Sequence, residues 1–451
     1  MTTRKELAEA HGFARRRLVQ AFVGGERGTR EGDSTTVGRT VVGGAALTVL
    51  LLAGAAVAGF TGGRPPSGWL DSGSFVVAET GDQYVVVRGG DEKTAVLNRV
   101  PNYVSAQLVL GRTDLDPHRV DTDDIRRIRL GADLGIEGAP TGLPGPDGLV
   151  GSTWTACTAD GRGVRLQIGD DPVVTEVPAG ALLVSTGGDQ RWLVAQDRQG
   201  TTRSYRLPDG RRGRTLADRL GFAPEAVQRV PAEWLALAEP GDPLDEKAFA
   251  VEQPGAVVQL PGAGQVRQGD LLRTPEGLFL VDGQGPRKLS EFAGRVHLLL
   301  SGDRVVESSS LQVPAQPAGT PENWPEVTPE PLVAPSGPPV ACLVLHAGTR
   351  GSGRVSLATT PMSTPAALGV EAGETEVSLA PSSAALVRAA GGAAPDVLVG
   401  PRGRGFRLLD DDTVRALGYA DVRPFEVPAA WLGFLPPGVD LSVEAARSGR
   451  S

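Results

Sequence analysis

The chain contains only two cysteines, four histidines, two methionines and four lysines in 451 residues. Each scarcity removes a class of chemistry. Cys157 and Cys342 stand 185 positions apart and make no metal site by spacing. The histidines, His11, His118, His297 and His346, are isolated, with no HExxH or paired arrangement. No serine occupies a GxSxG elbow. Among the lysines, only Lys93 lies near a phosphate-loop pattern, in VVVRGGDEKT, residues 85–94. A P-loop needs glycine immediately before lysine so that backbone can wrap the phosphates. Here that position is Glu92, a charge that repels phosphate, and Val87 replaces the first glycine. Asp123–Asp124 and Asp410–Asp412 read as solvated turn or helix-start residues. No catalytic, cofactor or metal residues are expected.

Positive charge is carried almost wholly by arginine, but the arginines are scattered and the net charge is −8. Nucleic-acid binding is excluded on that ground. Glycine and proline together number 97, about a fifth of the chain, which is below the level of low-complexity disorder. With 40% apolar residues, the composition predicts two or three globular units built of short strands and many turns.

The charge is unevenly distributed. Residues 1–40 carry a net +3 and the rest of the chain a net −11. Between them lies VVGGAALTVLLLAGAAVAGF, Val41 to Phe60, without a charge. Twenty helical residues span about 30 Å, the thickness of a bilayer core. Arg27, Arg30 and Arg39 precede the segment and only Arg64 follows it closely, so the positive-inside rule places the N-terminus in the cytoplasm and the bulk of the chain outside. AVA at 56–58 has the form of a signal-peptidase site, but the 40-residue arm favours an uncleaved anchor. In that arm Leu7, Ala10, Ala14, Leu18 and Ala21 recur at helical spacing beside Arg15, Arg16 and Arg17, up to Gly24-Gly25. Such a basic helix suits anionic lipid or a cytoplasmic partner. Residues 26–38 read as a tether.

One segment occurs twice. LGFAPEAVQRVPAEWLALAEPGDPL (220–244) and LGYADVRPFEVPAAWLGFLPPGVDL (417–441) align without a gap and share 11 of 25 positions. Gly221/Gly418 read as helix stops, Pro231/Pro428 begin the VPAxWL element, and Trp234/Trp431 read as core anchors of their own units. Each copy follows strand, glycine turn and arginine-bearing strand, at 190–209 and 395–411. Two weaker relatives, 81–111 and 268–296, share that order, giving four repeats. The uneven spacers contain Cys157 and Cys342; the second begins with nine prolines in 312–340, an extended composition. Outside the membrane, where disulfides persist, Cys157 and Cys342 are expected to join the spacers into one central domain. The organisation expected is thus 1–40 arm, 41–60 span, 61–118 linker and first repeat, 119–188 central segment, 189–245 and 246–305 second and third repeats, 306–394 second central segment, and 395–451 fourth repeat and tail.

AHGFARRRLVQAFVGG ahead of a single span, LNRVPNYVSAQLVLG (97–111), GIEGAP (135–140), WTACTADG (154–161) and the VPAxWL repeats resemble EccB, the membrane subunit of actinobacterial type VII (ESX-type) secretion systems. The resemblance runs almost end to end. It implies an α+β fold with an N-terminal cytoplasmic helix, a single transmembrane helix, and an elongated extracytoplasmic part with a central mixed β-sheet domain and four small α/β repeat domains. It also implies a cystine at Cys157 and Cys342, and assembly with the EccC ATPase, EccD and EccE in a hexameric inner-membrane complex. Some family members are labelled ATPases; without a phosphate loop here, hydrolysis is assigned to EccC. The alternatives are a membrane-anchored peptidoglycan-binding protein, since family repeats have been likened to cell-wall-binding modules, and a nucleotide hydrolase. The short tail and few aromatics of this chain weigh against ligand binding on the repeat surfaces.

Overall fold

The computed structural model describes residues 65–449 apart from 170–172, 303, 309–320, 322, 333–338, 352, 361–367 and 393. The arm helix expected in 1–40 and the span expected at 41–60 lie outside the described residues. Among those described, no helix is long and apolar enough to cross a membrane. The described residues from Pro66 on belong to one compact unit, Pro66–Ser451, which is a mixture of helices and sheets.

Four sheets in this unit share one connectivity: an up-and-down run of three strands, a helix, then a return strand parallel to the first. In lobe 1 the strands are Phe75–Ala78, Gln83–Arg88 and Val96–Val100, the helix Tyr103–Leu110 and the return Pro117–Val120. Lobe 2 uses Gly180–Ser185, Trp192–Gln196, Thr202–Arg206, helix Gly210–Arg219 and Gln228–Arg229. Lobe 3 uses Leu271–Thr274, Gly277–Asp282, Gly285–Leu289, helix Glu291–Ser301 and Val305–Glu307. Lobe 4 uses Ala385–Ala389, Asp396–Val399, Gly405–Leu408, helix Asp411–Ala416 and Phe425–Val427.

A fifth, six-stranded mixed sheet draws on two distant segments. Its order is Thr375–Leu379, Val164–Ile168, Thr153–Thr158, Ala341–His346, Arg354–Thr359, Thr175–Glu176. The two halves interleave, because the third strand of each segment lies on the far edge of the other's hairpin. In chain order the molecule therefore runs lobe, half-sheet, lobe, and then lobe, half-sheet, lobe again.

Sheet membership displaces the segment limits read from the sequence. Gly180–Ser185 and Ala385–Ala389, grouped there with the central segments, are the first strands of lobes 2 and 4. Pro117–Val120 and Arg129–Leu130 likewise belong to lobe 1. For the first strands of lobes 2 and 4 the physical reason is burial on both faces; Pro117–Val120 and Arg129–Leu130 are short and mostly exposed, with no apolar run to mark them. In GALLVS, Ala181 and Leu183 face one core while Leu182 and Val184 face another, so the strand reads as a continuous apolar run without a period of two.

The lobes pack in pairs. Lobes 2 and 3 share one core, from Leu183, Tyr205 and Leu216 to Leu280, Phe292 and Val296. Lobes 1 and 4 share another, from Phe75, Val104 and Leu108 to Leu398, Phe406 and Tyr419. A segment entering the central sheet crosses each pair. Trp324 lies edge-on to Phe249 and Phe292, and its Nε1 donates to the Asp242 carbonyl at 2.9 Å. On the other pair, Tyr419 donates to the Pro144 carbonyl at 2.7 Å.

Candidate functional site

The residues singled out by the sequence converge on the central sheet. Strand alternation puts Trp154, Ala156, Leu343 and Leu345 on one face and Cys157, Cys342 and Val344 on the other. Cys157 and Cys342 are direct partners across antiparallel strands, with Cα atoms 4.0 Å apart, and they form a disulfide. The close Cα approach is that of a non-hydrogen-bonded pair, where side chains come nearest. The cystine is buried with Val340, Ala358, Leu368 and Val370. It closes a sequence separation of 185 residues that contains the whole of lobes 2 and 3.

The opposite face receives both VPAxWL elements. Pro231 and Pro428 precede short helices, Ala232–Leu235 and Ala429–Leu432, with nearly identical dihedrals (φ −59°, ψ 144° and φ −56°, ψ 142°). Proline's fixed φ suits that entry. One turn on, Trp234 and Trp431 are both fully buried in the core that joins lobes 2 and 4 to the sheet, beside Trp154. Trp234 Nε1 donates to the Ala156 carbonyl of the central sheet at 2.9 Å, and Trp431 Nε1 donates to the Leu237 carbonyl of lobe 2 at 3.3 Å. The sequence assigned each tryptophan to its own unit; the structure places both at the joint.

Gly221 and Gly418 are not drawn together. Each follows a lobe helix with positive φ, 99° and 85°. The Gly221 and Phe222 N–H groups donate to Asp218 and Ala217, and Gly418 and Tyr419 donate to Arg415 and Val414. This is the Schellman pattern, which glycine enters without a Cβ penalty. The two segments then return beside a lobe strand: a Cβ on Gly241 would strike the Tyr205 ring, and one on Gly438 the Phe406 ring. Sequence reading missed this second function of the repeat, although both glycines were identical positions of the alignment. It also missed the packing roles of Trp154, quoted only as the first residue of WTACTADG, and of Trp324, for which no motif gives a signal.

The 85–94 stretch connects two antiparallel strands, not a strand and a helix. The Asp91 carboxylate accepts from Lys93 N, Thr94 N and Thr94 Oγ1, at 3.1, 3.0 and 2.7 Å. The Thr94 hydroxyl bond, first, and these backbone bonds hold its carboxyl below the usual aspartate range. A carboxylate thus already fills the N–H donors a phosphate would use. Among the described residues, no group of three or more His, Cys, Asp or Glu could hold a metal ion. His297 Nε2 lies 2.7 Å from the Gly269 carbonyl, and His346 Nε2 2.7 Å from Glu176 Oε1 at the sheet's edge. Burial raises the Glu176 carboxyl, but hydrogen bonding and the charges of His346 and Arg354 outweigh it, leaving the group below its ordinary value.

A family model described as "Type VII secretion system ESX-1, transport TM domain B" matches residues 1–451. The chain belongs to the EccB family. Curated EccB relatives include the "ESX-1 secretion system ATPase EccB1" of Mycolicibacterium smegmatis (strain MKD8), 34% identical over 148 residues, and that of Mycobacterium tuberculosis (strain ATCC 25618 / H37Rv), 33% identical over 152. These alignments cover 32% and 33% of this chain, and span 28% and 29% of the relatives' own lengths. Among solved structures, the EccB3 dimer from the ESX-3 core complex superposes with a TM-score of 0.61 at 21% identity, over 83% of this chain and 99% of that one. The periplasmic assembly from the ESX-5 inner membrane complex gives 0.60 at 23%, over 84% and 97%, and an intact ESX-5 inner membrane complex 0.58 at 22%, over 99% and 95%. At such identities the EccB likeness is one of fold.

Proposed function

We propose that this EccB-family chain is a non-catalytic scaffold subunit of a type VII secretion complex, anchored by a single span at 41–60 with its N-terminus cytoplasmic. The four lobes act as rigid contact modules outside the membrane, and the paired lobes around a cystine-bridged sheet form their fixed frame. ATP hydrolysis is assigned to a partner ATPase of the EccC type, with EccD- and EccE-type subunits and further copies of this chain completing an inner-membrane assembly of hexameric order. The observation that carries this reading is the family match over the whole chain, and the interior supports it. The conspicuous side chains, Trp154, Trp234, Trp431 and the cystine, are buried in packing and are not arranged around a cavity. The ATPase label of the mycobacterial relatives stands against the Asp91-filled turn.

The test is detergent extraction of the tagged chain from its own membrane, with mass spectrometry of what co-purifies and ATP turnover by the purified chain. An FtsK-like ATPase in the eluate and a silent chain are expected. Turnover by the chain alone would overturn the non-catalytic reading, and a chain that purifies without membrane partners would overturn the scaffold.

A further inference from the structure

The four lobes differ at one turn, the connection between the second and third strands. In lobes 1, 2 and 3 an aspartate at or just after the end of the second strand places its carboxylate on N–H groups of that turn. Asp91 does so in lobe 1, as described above, and in lobe 3 Asp282 Oδ1 accepts from Gln284 N at 2.8 Å. In lobe 2 the buried Asp197 accepts through Oδ1 from Gln199 N at 2.8 Å and Thr201 N at 2.9 Å, and through Oδ2 from Arg203 Nε at 2.7 Å. The lobe 4 turn has the lobe 2 backbone but no aspartate. Gly400 N donates to Arg404 O and Gly403 N to Gly400 O, both at 2.9 Å; Asp197 N donates to Thr201 O at 2.8 Å and Gly200 N to Asp197 O at 3.1 Å. Gly403 and Gly200 both take positive φ, 73° and 83°. Gly400 therefore stands where lobe 2 has Asp197, and Arg402 and Arg404 stand where it has Gln199 and Thr201. Among the described residues, neither the Arg402 nor the Arg404 backbone N–H has an acceptor.

The side chains at this turn are cations without counter-charges. Arg404 Nη1 donates to the Pro437 carbonyl at 2.8 Å, and Arg402 makes no side-chain hydrogen bond or ion pair among the described residues. Both line a cleft of about 240 Å³ between the turn and the 138–142 loop, with Pro140, Pro401 and Phe406, and no Asp or Glu is among its lining residues. Carboxylates elsewhere in the neighbourhood are placed apart from it: Asp440 accepts from Arg407 Nε at 2.7 Å, and Glu137 lines a separate cleft with Asp82 and Asp133. Both walls are held in place. Gly403 backs onto the central sheet so closely that a Cβ would lie 2.6 Å from Val377. On the other wall, Asn102 Nδ2 donates to the Ala139 carbonyl at 3.2 Å and Ile136 N to Ser105 Oγ at 3.1 Å. The GIEGAP stretch thus forms the fixed side of the cleft.

We propose that this lobe 4 cleft binds the carboxylate of an acidic peptide segment. The carboxylate takes the place that Asp197 has in lobe 2, accepting from the Arg402 and Arg404 N–H groups. Consecutive turn N–H groups of this kind form a nest for an anion. The two guanidiniums supply the charge that Arg203 supplies in lobe 2, through charge-assisted bonds, and Arg404 keeps free N–H donors beyond the one given to Pro437. Phe406 and the two prolines receive the apolar stem of the acidic residue. A fixed site spares the ordering cost of binding. The proposal stands on the geometry of lobe 4 and goes beyond the scaffold reading, giving one lobe a chemically defined hold on a partner polypeptide.

The test is chemical protection of the full-length chain in mild detergent. Phenylglyoxal modifies exposed guanidiniums, and mass spectrometry reads each arginine separately. A peptide of alternating glycine and glutamate, blocked at both ends, should slow modification of Arg402 and Arg404 at least threefold. Arg119 and Arg129, exposed arginines of lobe 1, should keep their free rate. The blocked glutamine counterpart should protect nothing, and a glycine peptide with a free C-terminal carboxylate shows whether a chain end serves as well as a side chain. Gly400→Asp restores the lobe 2 arrangement from within the chain; its Cβ lies 3.2 Å from the Phe406 ring, which must give by a few tenths of an ångström. In that variant, with both arginines present, the peptides should no longer change either rate. If thermal unfolding shows Gly400→Asp to be misfolded, Arg404→Gln replaces it, and Arg402 should lose most of its protection. Equal slowing at Arg119 and Arg129, protection by inorganic phosphate alone, or undiminished protection in the variants would overturn the proposal. Any of these results would leave co-purification of membrane partners, and with it the scaffold reading, untouched.

Discussion

Trp234→Ala removes the side chain that fastens lobe 2 to the central sheet. Burying a tryptophan takes roughly 150–250 Å² out of water, about 4–6 kcal/mol at ~25 cal/mol per Å². Measured Phe/Trp→Ala core replacements cost about 3–5 kcal/mol, the lost transfer free energy and the residual cavity together. The loss falls at the joint. Trp234 packs among Trp154, Val230 and Trp431 and donates to Ala156, whereas the lobe 2 helix is held from the other face by the core shared with lobe 3. In hydrogen exchange read by mass spectrometry, amides in Thr153–Thr158, Gly180–Ser185 and Ala429–Leu432 should open faster, while Gly210–Arg219 keeps its protection. Thermal unfolding should begin several degrees lower. Exchange that rises only within the lobe 2 helix and hairpin would refute the joint and restore tryptophan as a private anchor of its lobe. An unchanged unfolding curve would show that it does not act as core at all.

Reducing the cystine should loosen the central sheet before the lobes. The chain-entropy figure for so long a loop is about 5 kcal/mol, an upper value, and exchange should rise first in Ala341–His346. Non-reducing mass spectrometry should show the 157–342 peptide pair, and two free thiols in protein purified without reductant would contradict it. Lys93→Ala should leave secretion at the wild-type level; its loss in a folded, assembled protein would revive a nucleotide role for the 85–94 turn. Gly241→Ala and Gly438→Ala should each cost about 1–3 kcal/mol by forcing a methyl against an aromatic ring, seen as lowered denaturant midpoints, and unchanged midpoints would disprove the close approach. The lowered Glu176 carboxyl stabilises the fold above the ordinary glutamate range, and that contribution is lost as the pH falls through its folded value. Glu176→Gln should therefore flatten the acid limb of the stability profile modestly, given the group's partial exposure, and an identical acid limb would exclude it.

What could be read from the sequence was what neighbouring residues encode. The strand–turn–strand–helix order of each lobe and the stops at Gly221 and Gly418 follow from local alternation and backbone freedom. So did the pairing of Cys157 with Cys342, since the chain offers no other cysteine. The first strands of lobes 2 and 4 were hidden because burial on both faces erases the period that marks a strand. The position of Trp234 and Trp431 at a common joint depends on contacts across nearly 200 residues. Trp324 was invisible for a related reason: a proline-rich stretch is recognised as extended, but nothing in its composition says what it lies across. The expected helix at 1–40 and span at 41–60 concern residues that the structure does not describe.

The interleaved sheet also sets a clock on assembly. The strand Thr153–Thr158 has no permanent neighbour on its inner edge until Ala341–His346 has been made. At ~5–20 residues per second, the 185 residues separating the cysteines take roughly 10–40 s to synthesise. For that interval Cys157 is an unpaired thiol beside an open strand edge, while lobes 2 and 3 can already condense on each other. The last strand, Thr375–Leu379, then closes the far side of the first hairpin. A chain cut anywhere before residue 380 would therefore lose part of the sheet that its earlier half needs. Truncations there should produce aggregation or proteolysis, and no shortened scaffold.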